Sequence, residues 1–138
     1  MRIVYSYYVA DLMHKGHMLQ MKNAKEMAGK DGISVVGILT KEAVLEKKPK
    51  KPILNFDDRV GLAEAIKYND IVIPQTTYSP IPNLKMIRPD ICMESESHKE
   101  EDIEKVREYM KSIGGRVVVT PYYPYISSTS IKKKIRSK

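Results

Sequence analysis

The chain has 138 residues, one ordinary domain by length, and its 24 Lys and Arg against 17 Asp and Glu leave a net charge of +7. Apolar residues make up 42% and charged residues 30%, so the composition is that of a globular protein and not a disordered one, and the basic excess suits phosphate, nucleic acid or acidic lipid. The short apolar runs exclude a transmembrane helix, Met1 to Tyr8 lacks the long apolar stretch of a secretory signal, and the lone Cys92 excludes an internal disulfide, so the expected setting is a reducing cytoplasm with no membrane partner.

In chain order, β-branched or aromatic runs at Ile3 to Tyr8, Ser34 to Leu39, Asp70 to Pro74, Asp90 to Met93 and Arg116 to Thr120 read as strands. Helical periods separate them. His17 to Ala28 places Met18, Met21, Ala24 and Ala28 on one apolar face, with Met13 and Met27 as further core filler. A second helix is predicted over Phe56 to Lys67, with Asn55 as N-cap, Asp58 at the capping-box position and Val60, Ala63 and Ile66 as the inward stripe. A third runs from Glu100 to Ile113, its acidic first turn matched to the helix dipole, its Ile103, Val106, Met110 and Ile113 facing inward, and Gly114 with Gly115 stopping it. The last begins at Ser127 or Ser128 and ends in the basic tail Lys132 to Lys138. Strands alternating with helices predict a single α/β, Rossmann-like domain with about five parallel strands and helices on both faces.

Three segments could carry chemistry. Asp11-Leu12-Met13-His14-Lys15-Gly16-His17 falls where the first strand gives way to the first helix, the place where open α/β sheets bind ligands and where unpaired N–H groups attract phosphate. His14 and His17, three residues apart, could donate from one side onto phosphate oxygens, and Gly16 has no side chain to keep a ligand off the backbone. The plainer alternative is two unrelated surface histidines, one of them a cap. A zinc site would need a further ligand, and His98 is the only other histidine, so no metal ligands are assigned. Ile126-Ser127-Ser128-Thr129-Ser130-Ile131-Lys132 offers hydroxyls and free N–H groups at a second helix start, or a simple N-cap. Lys47-Lys48-Pro49-Lys50-Lys51-Pro52 is either a solvated basic loop or a clamp that closes over a triphosphate.

Taken together, the H-x-G-H and I-S-S-T-x-I-K motifs at opposite ends of a domain this size resemble the nucleotidyltransferase superfamily of small cytidylyltransferases, over essentially the whole chain, residues 1–138. As in glycerol-3-phosphate cytidylyltransferase, a Lys-rich loop precedes an aromatic-acid-x-Arg helix start, here Phe56-Asp57-Asp58-Arg59. Ala10-Asp11-Leu12, Ile81-Pro82-Asn83-Leu84 and Arg88-Pro89-Asp90 are more similar still to the cytidylyltransferase domains fused to phosphoenolpyruvate mutase in phosphonate biosynthesis, including the hydroxyethylphosphonate enzyme.

The resemblance implies that CMP passes from CTP, accompanied by magnesium, to a small phosphonate such as 2-hydroxyethylphosphonate, or a phosphate, with release of pyrophosphate. It implies that His14 and His17 stabilise the transition state, that Lys48 and Lys50 neutralise phosphate charge, and that Val9, Ala10, Gly16, Tyr122, Ile126, Ser127, Ser128 and Thr129 complete the nucleotide site. Asp11, Arg59 and Glu96 would serve the acceptor, with the triphosphate as the alternative for Arg59. A homodimer, and fusion to another enzyme domain, are also implied. Two departures stand out: Tyr122-Tyr123-Pro124-Tyr125 replaces the relatives' Arg-Thr-Glu-Gly, and Ser95-Glu96-Ser97-His98 replaces Gly-Asp-Asp-Trp, leaving Glu96 as the one acid of that pair. Competing readings are an ATP-using adenylyltransferase of the pantetheine-phosphate or archaeal FAD synthetase type, and a non-catalytic nucleotide- or nucleic-acid-binding module. The basic tail has no aromatic residue for base stacking, so nucleic acid is not the expected partner.

Overall fold

A computed structural model describes residues 1–121. Five strands, β1 (Ile3–Tyr8), β2 (Ile33–Leu39), β3 (Ile71–Gln75), β4 (Ile91–Ser95) and β5 (Arg116–Thr120), form one sheet in the order β3-β2-β1-β4-β5, with every pairing parallel. Five helices, α1 (Lys15–Ala28), α2 (Lys41–Leu45), α3 (Phe56–Glu64), α4 (Ile81–Ile87) and α5 (Glu100–Ser112), supply the crossovers. Alternation along β1 sorts them. Val4 and Tyr8 face the layer of α1 and α3, where they meet Met21, Ala24 and Ala63, while Tyr5 and Tyr7 face Leu84 of α4 and Val106 and Met110 of α5. The single α/β domain with helices on both faces is therefore present as expected.

Local chemistry fixes the ends. Asn55 Oδ1 accepts from the Asp58 N–H and starts α3, but Asn69 Nδ2 donates to the Ala63 carbonyl, so α3 stops at Glu64 and Ile66 belongs to the following turn. Thr40 caps α2 through the Ala43 N–H. This helix, like α4 with its proline in the first turn, is too short to show a full apolar period, so neither is predicted from the sequence. On α1 the buried face is Gln20, Met21, Ala24 and Ala28, and Met18 is 41% exposed instead of joining it. The shift follows from the helix starting at Lys15, with Gln20 drawn inward by hydrogen bonds described below.

The β1–β2 ladder extends to Tyr8 opposite Ile38, whereas β1 pairs with β4 only at Val4–Ile91 and Tyr5–Cys92. Beyond Tyr5 the two strands part. Since the chain works outward from β1 to β3 and then returns to β4 on the other side, this opening is the topological switch point, the crevice where such sheets bind ligands. The residues behind it are tightly joined: Tyr5 Oη donates to Gln75 Oε1 at 2.5 Å and accepts from Asn83 Nδ2 at 2.9 Å. A Cβ at residue 37 would lie 2.0 Å from that hydroxyl, so Gly37 makes room for the Tyr5 ring.

Candidate active site at the switch point

The link from β1 to α1 carries two non-glycine residues in the left-handed region, Ala10 at φ 57° and Leu12 at φ 50°. This tight path turns Asp11 inward, where Oδ2 accepts from the Ile53 N–H at 2.8 Å and Oδ1 from the Leu54 N–H at 2.9 Å. The sequence assigns Asp11 to the acceptor; in the structure each of its oxygens accepts an N–H from the backbone that follows the Lys-rich loop. Arg59 likewise bonds to backbone groups. It is 0% exposed, its Nη1 donates to the carbonyls of Val9 and Leu39, and its Nε donates to that of Leu54. Asp11 and Arg59 thus tie together the ends of β1 and β2, the loop and α3.

His14 is the N-cap of α1. Its Nδ1 accepts from the Gly16 N–H at 3.0 Å, and the His17 Nδ1 accepts from the His14 N–H at 3.2 Å, a reciprocal capping box made of two imidazoles. The rings lie 4.1 Å apart between centroids. Burial lowers the pKa of His14, and burial, aided by the His14 charge and opposed by Asp11, lowers that of His17 to about 4. Both rings are therefore neutral near pH 7, and because each Nδ1 is an acceptor the remaining proton resides on Nε2. The pair offers two adjacent N–H donors at a helix N-terminus, an arrangement suited to phosphate oxygens.

Lys48 and Lys50 are exposed on the segment between α2 and the Asp11-anchored residues 53 and 54. Glu96 is exposed just beyond β4, with its N–H donating to the Thr120 carbonyl. Tyr122, Ile126, Ser127, Ser128, Thr129 and the last predicted helix lie outside the described residues. Gln20, three residues past His17, accepts from Thr120 Oγ1 at 2.7 Å and donates to the Pro121 carbonyl at 2.8 Å, so the chain leaves β5 clamped to α1 next to the histidine pair. Sequence reasoning did not single out Gln20, a polar residue among methionines.

Nor did it find the other side of the crevice. A cavity of about 160 Å³ is lined by Tyr7, Glu94 and His98, with Tyr78 and the lysines 47 and 105 around them. Tyr7 Oη donates to Glu94 Oε2, which also lies 3.0 Å from His98 Nδ1. Burial, reinforced by Glu94, pushes the Tyr7 phenol well above its usual range, so it remains a donor. Of the residues that carry the phosphonate resemblance, Asn83 pins α4 to Tyr5 and the Pro74 carbonyl, while Asp90 Oδ2 accepts from the Ile3 N–H at the far end of the sheet.

Among the described residues no group of three His, Cys, Asp or Glu side chains is placed to hold a metal ion, so the zinc alternative finds no ligand set there. Cys92 is buried in β4 with its thiol pKa raised by burial, the state of an inert packing residue. No helix among the described residues is long and apolar enough to cross a membrane.

The chain is similar to known proteins. The chain is 29% identical over 138 residues to the bifunctional protein HldE of Alcanivorax borkumensis, covering 99% of this chain and 28% of that protein. It is 28% identical over 126 residues to the FAD synthase of Korarchaeum cryptofilum, covering 91% of this chain and 85% of that one. The chain therefore spans little more than a quarter of HldE but most of the FAD synthase. The crystal structure of the lipopolysaccharide core biosynthesis protein from Thermoplasma volcanium has the same fold, with TM-score 0.72 and 21% identity over 89% of this chain and 97% of that one. The cytidylyltransferase-like family model matches residues 9–134, from the loop that enters the histidine pair to beyond the second motif. By that match the chain belongs to the cytidylyltransferase-like family of nucleotidyltransferases.

Proposed function

We propose that this domain transfers CMP from CTP to a small phosphonate, such as 2-hydroxyethylphosphonate, or to a small phosphate, releasing pyrophosphate. The observation that carries the transfer chemistry is the imidazole capping box: two neutral rings, each fixed by a backbone N–H bonded to its Nδ1, beside a helix N-terminus. An acceptor oxyanion attacks the α-phosphorus in line, the bond from that phosphorus to the bridging oxygen breaks, and pyrophosphate leaves with the electron pair. Negative charge grows on the α-phosphate oxygens, where preorganised donors lower the barrier. The acceptor is already an anion, so no general base is needed, and positioning supplies much of the rate. Lys48 and Lys50 approach the triphosphate from the loop that Asp11 anchors. The second-motif residues Ser127, Ser128 and Thr129, which lie within the family match, are assigned to the β and γ phosphates. Magnesium, brought with CTP, would supply further neutralisation of the triphosphate charge.

A second reading is adenylyl transfer, favoured by the FAD synthase relative of nearly equal length. The deciding experiment measures pyrophosphate release with CTP or ATP against a panel of phosphonates, polyol phosphates and FMN. Release that requires CTP and a phosphonate supports the first reading, and release that requires ATP replaces it with the second.

A further inference from the structure

Glu94 is 1% exposed, yet it lines the cavity between β1 and β4, and only one of its oxygens is satisfied. Oε2 takes the Tyr7 hydroxyl and faces His98 Nδ1, whereas Oε1 is buried with no hydrogen-bond partner. A buried carboxylate oxygen without a donor is a costly arrangement, and such a group in a cavity marks a place where a ligand completes the set. The neighbours cannot turn to serve it. Tyr7 and Glu94 occupy positions of β1 and β4 that continue the Val4–Ile91 register past the point where the ladder ends, so the phenol spans the opened strands and is held there. His98 stacks on the Tyr7 ring at 5.5 Å, which fixes its Nδ1 on the Oε2 side. Lys47 and Lys105 are countered at the same cavity by Glu46 and Asp102, so no excess of charge there competes with Glu94 in choosing the ligand.

We propose that Glu94 Oε1 is the specificity determinant for the acceptor: it accepts a hydrogen bond from a donor-bearing head group, a hydroxyl or an ammonium, at the end of a small acceptor whose phosphonate or phosphate points to the histidine pair. This rests on the reading that the acceptor is a small phosphonate or phosphate. Tyr7 and His98 are positioning residues in it, holding Oε2 and leaving Oε1 for the ligand. An acceptor lacking the donor leaves Oε1 buried and unpaired, and such a mismatch is rejected more strongly than a missing methylene.

The test is equilibrium binding, by calorimetry and without nucleotide, of 2-hydroxyethylphosphonate, 2-aminoethylphosphonate and ethylphosphonate to the full chain. At least one of the two donor-bearing ligands should bind about 10- to 100-fold more tightly than ethylphosphonate, the range expected from one unsatisfied buried group, and the stronger of the two identifies the head group. In Glu94→Gln the amide oxygen stays with Tyr7 and the NH2 turns to the cavity, so the preference should shrink to within about threefold. Equal binding of all three ligands by the wild type, binding of none, or a preference that survives Glu94→Gln would overturn the proposal. The wild-type comparison stands even if the variant fails to fold. A head-group preference without CTP-dependent pyrophosphate release would refute the transfer reading while leaving the Glu94 site intact.

Discussion

His14 has two jobs that a substitution can separate. Its Nδ1 caps α1, and its Nε2–H is free to donate outward. Asparagine at residue 14 retains a capping acceptor but removes the outward donor, so His14→Asn should keep the thermal midpoint close to wild type while turnover falls about 10²- to 10³-fold and CTP affinity changes much less. Turnover near the wild-type value in a folded His14→Asn protein would remove His14 from the chemistry. His17 allows a prediction about pH. Its pKa is about 4 in the folded protein and about 6.5 in an unfolded chain, so between these values the unfolded state binds more protons. The stability it contributes is complete above about pH 6.5 and is lost as pH falls towards 4. The urea midpoint should therefore fall between pH 7 and pH 5, and less so in His17→Asn. The sequence shows these two histidines plainly because their spacing is local. Glu94 is the opposite case: its partner Tyr7 lies 87 positions away, and the predicted fourth strand ends at Met93, one residue short of it.

Among the elements, α1, α3 and the basic loop act as one support for the crevice. The five strands were legible because each is a compact β-branched run with turn residues on both sides, and α5 because its apolar period is complete. The link that was not legible is polar: the sequence shows Asp11 and Arg59 as ligand-binding candidates and gives no sign that they also bond backbone N–H and carbonyl groups across the fold. This gives the loop one fixed end and leaves Lys47 to Lys51 exposed, mutually repelling and without a buried apolar anchor of their own. Trypsin should cut this segment in the free protein, and CTP should slow the cut by bringing phosphate to Lys48 and Lys50. Asp11→Ala should speed cleavage and weaken the protection, because the Ile53 and Leu54 N–H groups lose their acceptor. Cleavage at one rate with and without CTP would argue against a clamp.

At the scale of the whole molecule, the order β3-β2-β1-β4-β5 puts the histidine pair and the Glu94 cavity at one end of the sheet but on opposite sides of it, the first above α1 and the second against α5. A ligand reaching both must cross the gap where β1 and β4 separate, with its phosphonate or phosphate at the histidines and its other end in a space of about 160 Å³. Glu94 lines that space, and its buried Oε1 is unpartnered. The single hydroxyl of 2-hydroxyethylphosphonate matches it. Glycerol 3-phosphate brings two hydroxyls, and with one on Glu94 the second costs about 1–3 kcal/mol wherever it is buried without a partner. Measured as kcat/KM at saturating CTP, the phosphonate should therefore be preferred by about 10-fold or more, with the difference carried mainly by the acceptor term. A preference for glycerol 3-phosphate would mean that Tyr7 or His98 yields to the second hydroxyl, and it would reassign the acceptor while leaving the phosphate chemistry of His14 and His17 unchanged.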